Sequence, residues 1–260
     1  MKLYHAPIST CSQKVRLVLA EKGLDYDSEF IDLQKGEQFA PEYLAKNPSG
    51  VVPTLEDGGK LLVESTLINE YLEDAYPVPR LAPEDPAARH AMRLWTKKID
   101  ELHPACGIAT YAIGVRPGLL RRPPEEVDAL VNAIPDPARR AVRRSVVDHG
   151  VEAPEFAGAH AAHEKLFGLA DQVLRDTPYL AGDALTLADA AFLPYVLRAD
   201  HLNLSSLLEG RAGLTAWYQR MQERPSYQSA VADYLPEPAV AAFRRAGEAV
   251  ADSVARIVAS

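Results

Sequence analysis

The stretch Gly50-Val51-Val52-Pro53-Thr54-Leu55 decides how the rest of the chain is interpreted. Its apolar, β-branched residues predict a strand over 51–55. Because a proline cannot donate a hydrogen bond to a sheet, Val52-Pro53 should form an edge, a bulge or a special turn, and a cis peptide bond is one option. The backbone of Val52 would then be available to pair with an extended peptide.

The following segment, Val63-Glu64-Ser65-Thr66, closes a second predicted strand over 60–63 and opens a helix that runs to about residue 75. A helix N-terminus presents free N–H groups and partial positive charge, which attract carboxylates. Together the two segments predict a docking site for a small acidic peptide. The alternative is a hairpin followed by a capped helix with no ligand.

Composition sets the outer limits of function. The chain has 260 residues, 47% hydrophobic and 25% charged, as expected for a soluble globular protein of one or two domains. A net charge of −8 argues against nucleic acid or acidic membranes as partners. Two cysteines give no disulfide framework, and neither a signal peptide nor a membrane-spanning run is visible. We therefore expect a cytoplasmic protein.

The first third of the chain predicts a small mixed sheet. A strand over 2–5, a helix over 11–22 and a strand over 26–33 form a parallel, right-handed βαβ unit. A short helix over 38–45 follows, and the turn Asp57-Gly58-Gly59 joins the two later strands as an antiparallel hairpin. This βαβ-α-ββα order is that of a thioredoxin-like domain, which we place at 1–77.

The remainder predicts helices only. A proline-rich linker over 78–86 leads into helices over 87–112, 160–175, 187–197 and 217–223, the third opening with a capping box at Thr186-Leu187-Ala188-Asp189. The predicted fold class is α+β, a thioredoxin-like N-terminal domain followed by an all-helical C-terminal domain over 87–260. A stretch over 114–158 is too long for an ordinary connection, and we expect one or two short helices there.

This layout resembles the glutathione S-transferase family. The matching segments are Ser9-Thr10-Cys11-Ser12, Asn47-Pro48 with Val52-Pro53-Thr54-Leu55, Glu64-Ser65 with Glu70-Tyr71-Leu72, and Tyr179-Leu180-Ala181-Gly182 with Leu185-Thr186-Leu187-Ala188-Asp189. The insertion is similar to that of bacterial β-aryl etherases and their fungal-type relatives, and the first motif is similar to zeta-class isomerases and reductive dehalogenases. The resemblance implies glutathione as cosubstrate and a homodimer.

The resemblance also implies positions that bind glutathione. Val52, beside a cis Pro53, would pair with the cysteinyl unit, while Glu64 and Ser65 would hold the γ-glutamyl end. Lys35 and Gln38 would reach the glycyl carboxylate. Asp189 would cap a helix and serve folding rather than chemistry.

Two residues compete for the chemistry. A free thiol has a pKa near ~8.5, so a hydroxyl donor or a helix N-terminus is needed to favour the thiolate of glutathione. Ser9 is placed to supply that hydroxyl, with Thr10 and Ser12 as rivals, and Thr10 is also a candidate contact to glutathione. Helix capping is the plain alternative for Ser9 and Thr10. Cys11, at a helix start near Lys14 and Arg16, should have a lowered pKa and could instead form a mixed disulfide.

The second substrate is expected to be a small hydrophobic or aromatic electrophile, with aryl ether cleavage the leading reaction. Reductive dehalogenation, cis–trans isomerisation and glutathione binding without turnover are the alternatives. His103, Tyr111 and Arg116 are candidates to line its pocket. The arginines of the insertion could instead form a solvated face. No spacing of histidines and cysteines predicts a metal site.

Overall fold

Four short strands form one mixed sheet in the order β2-β1-β3-β4. The computed structural model describes residues 1–259. The strands are β1 (Lys2–His5), β2 (Asp27–Phe30), β3 (Thr54–Asp57) and β4 (Lys60–Leu62). β1 runs parallel to β2 and antiparallel to β3, and β3 pairs antiparallel with β4. The predicted βαβ unit and hairpin are therefore confirmed.

Three helices complete the sheet half of the molecule. They are α1 (Thr10–Glu21), α2 (Pro41–Leu44) and α3 (Ser65–Ala75). α1 turns Val15, Val18 and Leu19 into the core, where each is fully buried. The bounds of α3 agree with those predicted from its sequence.

All regular structure after α3 is helical within the described residues. The helices are α4 (Pro86–Ala109), α5 (Arg116–Leu119), α6 (Pro124–Asn132), α7 (Pro137–His149), α8 (Pro154–Leu174), α9 (Leu187–His201), α10 (Ala212–Gln222), α11 (Pro225–Ala230) and α12 (Glu237–Val258). α9 is buried along nearly its whole length and forms the centre of this half. At its start, Thr186 and Asp189 cap each other's backbone as the sequence predicts. No helix of residues 1–259 combines the length and apolarity needed to cross a bilayer.

Several predicted element limits were wrong for identifiable reasons. The strand predicted over 51–55 begins only at Thr54, because the Val51 carbonyl accepts side-chain hydrogen bonds from Tyr43 and Asn47 at 2.7 and 2.9 Å. The Val52-Pro53 bond is cis. β2 is shorter than the predicted 26–33.

The insertion holds three helices rather than one or two, and α8 begins before the predicted residue 160. Pro124, Pro137 and Pro154 each occupy the first turn of a helix, where a proline costs no hydrogen bond. The first long helix also departs from its prediction: α4 ends at Ala109 and continues as a π-helical segment, Thr110–Val115.

A buried ion pair fixes the segment between α3 and α4. Lys22 Nζ lies 2.6 Å from Glu73 Oε2, and neither side chain is more than 7% exposed. Glu73 also accepts hydrogen bonds from the amides of Leu81 and Ala82. The segment is thus held against α1 and α3 even though it has no regular structure. The predicted domain limits, 1–77 and 87–260, stay a prediction.

Candidate functional site

The register of the sheet brings the predicted site segments to one edge. Because Tyr4 pairs with Thr54 and Leu55 with Leu62, the end of β1, the start of β3 and the end of β4 are neighbours. The parallel strand β2 ends on the same side. The loops that follow β1, β2 and β4, together with the loop that precedes β3, therefore meet there.

The loop before β3 presents an unused piece of backbone. Tyr43 and Asn47 hold Val51 in place, and both also contact the Thr54 hydroxyl, at 3.1 and 3.3 Å. Val52 lies outside the strands, and among residues 1–259 its N–H and C=O take part in no turn or loop hydrogen bond. An extended ligand could pair with it. From the sequence, Tyr43 had no assigned role, and Asn47 stood only within a segment that matches the family.

The N-terminus of α3 is open. Its N-cap residue, Glu64, makes no side-chain capping bond, and the first turn contains no acidic residue. Glu64 has φ 67°, a region that costs a non-glycine residue about 1–3 kcal/mol and is concentrated at functional sites. Ser65 is buried beneath it. The free amides of this turn can receive a carboxylate.

Ser9 caps α1 and keeps its proton available. Its Oγ accepts a hydrogen bond from the Ser12 amide at 3.2 Å. A serine hydroxyl has one donor and two acceptor positions, so capping leaves the O–H free to donate to a ligand. Helix capping and a chemical role are therefore compatible for Ser9. Thr10 is buried at the first position of the same helix.

Two buried arginines shape the loop between β1 and α1. Arg16 donates to the carbonyls of Ala6 and Pro7 at 3.2 and 2.8 Å. Arg198 of α9 donates to the Ile8 carbonyl and, at 3.1 Å, to the Thr110 hydroxyl. Sequence reasoning missed both positioning roles. The available signal was that each arginine lies within or directly after an apolar run of a predicted helix, where a charged side chain is rarely found without partners.

The thiol of Cys11 faces a histidine from the other half of the molecule. Sγ lies 3.6 Å from Nδ1 and 3.8 Å from Nε2 of His103, and the Tyr195 hydroxyl lies 3.1 Å from the same Nδ1. Burial opposes ionisation of the thiol, but His103, Lys14 and Ser65 outweigh it and lower the pKa of Cys11 to about 6. The thiolate in turn raises the pKa of His103.

The lowered pKa of Cys11 agrees with expectation, but one expected cause was wrong. Arg16 does not contribute, because its guanidinium points into the loop before α1 and onto the Ala230 carbonyl. His103 lies beside a potential nucleophile, and its predicted role in lining a substrate pocket stays a prediction. The second cysteine, Cys106, is buried, and desolvation raises its pKa to about 11.

The loop after β2 carries the other predicted contacts. Lys35 is 75% exposed and lies 3.4 Å from the Asp32 carboxylate, so its ammonium is free to move toward a ligand. Gln38 is buried, and its Oε1 has no partner in the structure. The insertion touches this loop: Arg122 donates to the Gln34 carbonyl at 2.8 Å, and Leu130 packs against Gly36.

The two remaining pocket candidates differ in their surroundings. Tyr111 is half-buried in the π-helical segment, and the guanidinium of Arg143 from α7 lies over its ring. Arg116 instead donates to the carbonyls of Val147 and Asp148 at 2.8 and 3.0 Å, where it holds the end of α7. A role for either in substrate binding stays a prediction.

Comparison with known proteins decides the family. The model of the glutathione S-transferase N-terminal domain matches residues 3–83, and that of the C-terminal domain matches residues 131–225. The chain belongs to the glutathione S-transferase family. It is an enzyme of that family, with the family's fold and with glutathione as cosubstrate.

Three relatives illustrate the range within the family. Glutathione S-transferase 2 of Saccharomyces cerevisiae is 34% identical, and the matched region covers 87% of this chain and 87% of the relative. Protein LigF of Sphingobium sp. is 33% identical over 87% of this chain and 91% of its own, and tetrachloro-p-hydroquinone reductive dehalogenase of Sphingobium chlorophenolicum is 31% identical over 88% and 95%. The crystal structure of β-etherase LigF superposes with a TM-score of 0.80 at 29% identity, covering 88% of this chain and 97% of that one.

The residues at the sheet edge fit glutathione. An extended cysteinyl unit matches the unpaired backbone of Val52, and a γ-glutamyl carboxylate matches the open turn of α3. The orphaned Oε1 of Gln38 can accept a hydrogen bond from the glycyl amide. No cluster of three or more potential metal ligands occurs within residues 1–259.

Proposed function

We propose that this transferase ionises glutathione beside Ser9 and adds the thiolate to a small hydrophobic, aromatic electrophile. The observation that carries the proposal is the free O–H of Ser9, at the N-terminus of a twelve-residue helix and at the same sheet edge as Val52 and Glu64. A hydroxyl donor and a helix dipole both favour a thiolate over a thiol.

The leading reaction is displacement at an aryl ether carbon. The glutathione sulfur forms a bond to the carbon that bears the aryloxy group, the C–O bond breaks, and the departing phenolate takes a proton from water. The resemblance to β-etherase LigF in both sequence and structure supports this choice. Lys35, Gln38, Glu64 and Ser65 hold the tripeptide in the proposal, and Tyr111 lines the space for the aromatic group.

The test is the ionisation state of bound glutathione followed by turnover. Difference absorbance near the thiolate band, recorded with a Cys11→Ala/Cys106→Ala protein, should report ionised glutathione at neutral pH. A β-aryl ether should then release its phenol and yield the thioether conjugate. Bound glutathione that stays a thiol would favour a binding protein without turnover and would contradict the proposal.

A second candidate function rests on the Cys11–His103 pair. In this reductive reaction, glutathione first displaces a substituent from the electrophile to form a thioether. The Cys11 thiolate then attacks the glutathionyl sulfur, the C–S bond breaks, and the carbon takes a proton. A second glutathione resolves the resulting mixed disulfide and leaves as glutathione disulfide.

Parallel assays separate the two functions. Ser9→Ala and Cys11→Ala should be compared on an aryl ether, a chlorinated hydroquinone and a cis-dienone. Loss of all turnover in Cys11→Ala alone would favour the reductive reaction. Activity on the dienone that survives in Cys11→Ala but not in Ser9→Ala would favour isomerisation.

We also infer a homodimer that forms through the surface of α3 and α4. A groove of about 600 Å³ lies between these helices. Leu67 and Leu94 on the same helices are 64% and 41% exposed, so this surface offers apolar side chains to a second copy of the chain. Light scattering should report a dimer, and Leu67→Glu should yield a monomer. The two free cysteines support a reducing compartment, so we place the enzyme in the cytoplasm.

A further inference from the structure

The four arginines of α7 divide into two faces. Arg140 donates to the Ile134 carbonyl at 2.7 and 2.9 Å, and Arg144 lies 2.8 Å from Asp128. Arg139 and Arg143, one turn apart, point the other way. None of the four is fully exposed, so the structure does not show the solvated face that was the alternative for these arginines.

Arg143 lacks an acidic partner within residues 1–259. Its guanidinium lies over the ring of Tyr111, the group that attracts it there. Arg139 donates to the Ser49 carbonyl at 2.8 Å, and its acidic neighbour is Asp136, which also accepts the Arg139 amide in capping α7. Burial lowers the pKa of both arginines, and for Arg143 the positive charge of Arg139 lowers it further. Two half-buried cations thus stand together with N–H donors to spare.

The place of this pair is defined from two sides. Ser49 belongs to the loop that leads into Val52, so Arg139 reaches the glutathione edge of the sheet. Tyr111 follows His103 by two helical turns, about 12 Å along α4 and its π-helical continuation. Its neighbour Thr110 is joined through Arg198 to the Ile8 carbonyl. Arg143 therefore lies against the predicted pocket wall at Tyr111, one helical turn from the arginine that contacts the Ser49 loop.

We propose that Arg143, supported by Arg139 and stacked on Tyr111, forms a carboxylate subsite for the electrophile, so that the preferred substrates are aromatic acids. The inference rests on the proposed conjugation function and adds a substrate class to it. A guanidinium binds a carboxylate through two parallel hydrogen bonds, and the ring of Tyr111 can pack against the aromatic part of the same molecule. Pairing with an anion also offsets the repulsion between these two neighbouring cations.

The test compares 4-chloro-3,5-dinitrobenzoate with its neutral N-methylamide as glutathione acceptors, each rate divided by the uncatalysed rate. The enzyme should favour the acid. Arg143→Gln should raise KM for the acid by about 10- to 100-fold and change KM for the amide by less than about twofold. Arg143→Lys should restore part of the difference. Arg144→Gln removes the same charge from the other pair of arginines, and it should leave KM unchanged for both the acid and the amide.

Binding without reaction separates this inference from the conjugation function. The probes are 3,5-dinitrobenzoate and 3,5-dinitrobenzamide, measured by calorimetry with the folded state checked by thermal melting. Stronger binding of the acid that is lost in Arg143→Gln supports the subsite even if no conjugate ever forms. Equal binding of acid and amide would overturn it. A rise in KM for glutathione in Arg143→Gln, equal for both electrophiles, would also overturn it, because the carboxylate would then be that of glycine.

Discussion

Cys11 Sγ and His103 Nδ1 lie 3.6 Å apart although 92 residues separate them in the chain. One side chain comes from the first turn of α1 and the other from the C-terminal third of α4. The pair therefore exists only when the sheet half and the helical half are packed together. Its ionisation reports on that packing as well as on chemistry.

The first prediction concerns the pH dependence of Cys11. The thiol should alkylate with a midpoint near pH 6, since its pKa is lowered to about 6, and Cys106 should stay silent below pH 9. His103→Gln removes the main lowering interaction, so the midpoint should move up toward the free-thiol value near ~8.5. Iodoacetamide rates against pH measure this. A midpoint unchanged by His103→Gln would exclude the histidine as the cause.

The second prediction concerns Ser9. Removal of a hydrogen bond to a charged group costs about 1.5–3 kcal/mol, so Ser9→Ala should lower kcat/KM for conjugation about 10- to 150-fold. Loss of the cap should also lower the free energy of unfolding by about 0.5–2 kcal/mol. Ser9→Gly is the control, because glycine is tolerated at an N-cap at a cost of only a few tenths of a kcal/mol but offers no side-chain donor. Full activity in Ser9→Gly would show that the hydroxyl is not needed for conjugation.

The third prediction separates strain from binding at Glu64. Glu64→Gly removes the carboxylate and relieves the positive φ, whereas Glu64→Gln removes only the charge. Glutathione affinity should fall in both, and equally if the carboxylate binds the ligand's amino group. The melting temperature should rise or hold in Glu64→Gly and stay unchanged in Glu64→Gln. Calorimetric titration and thermal melting are the two measurements.

The fourth prediction concerns the buried carboxylate of Asp189. It accepts hydrogen bonds from the Leu180 amide, from the Trp217 indole and from both the amide and the hydroxyl of Thr186. Asp189→Ala would orphan several buried donors, at about 1–3 kcal/mol each, and should cost more than the ~2 kcal/mol of a single exposed cap. Urea unfolding measures the loss. Asp189→Asn retains one acceptor oxygen, so its free energy of unfolding should lie between those of the original protein and Asp189→Ala.

The fifth prediction concerns acid sensitivity. Burial lowers the pKa of His5 and His201 to about 3 and that of His163 to about 4, well below the ordinary value of 6.5. The unfolded chain therefore binds more protons below pH 6.5, and the free energy of unfolding should decrease as pH falls toward 4. Each histidine contributes up to about 1.4 kcal/mol per pH unit. Urea unfolding at pH 7.5 and at pH 5 should show the decrease in the free energy of unfolding. The difference between the two pH values should be smaller in His163→Gln.

Local chemistry explains which parts of the fold were predictable from sequence. The helix that starts at Ser65 and the one that follows the capping box at Thr186 carry their own start signals, so their first residues agree with prediction. The start of β3 could not be predicted from propensity, since it depends on Tyr43 and Asn47 holding the Val51 carbonyl from a separate helix and turn. The helix predicted from residue 160 begins already at Pro154, where a proline fits the first turn of α8.

The site divides in the same way. Ser9, Val52 and Glu64 stand out in sequence because a cap, a proline and a helix start mark them. The contact of His103 with Cys11, and that of Arg198 with the loop before α1, join residues 92 and 190 positions apart. No local pattern encodes such contacts. They require the packing of α4 and α9 against α1, which the sequence alone does not specify.

The position of Arg198 affects how the range of substrates can change. Its guanidinium rests on the Phe243 ring of α12 while it holds both Ile8 and Thr110. Substitutions in α12 can therefore shift the Ser9 loop and the wall at Tyr111 at once, without touching any ligand. Laboratory selection for new electrophiles should recover such remote changes in α9 and α12 alongside the expected ones in the cleft.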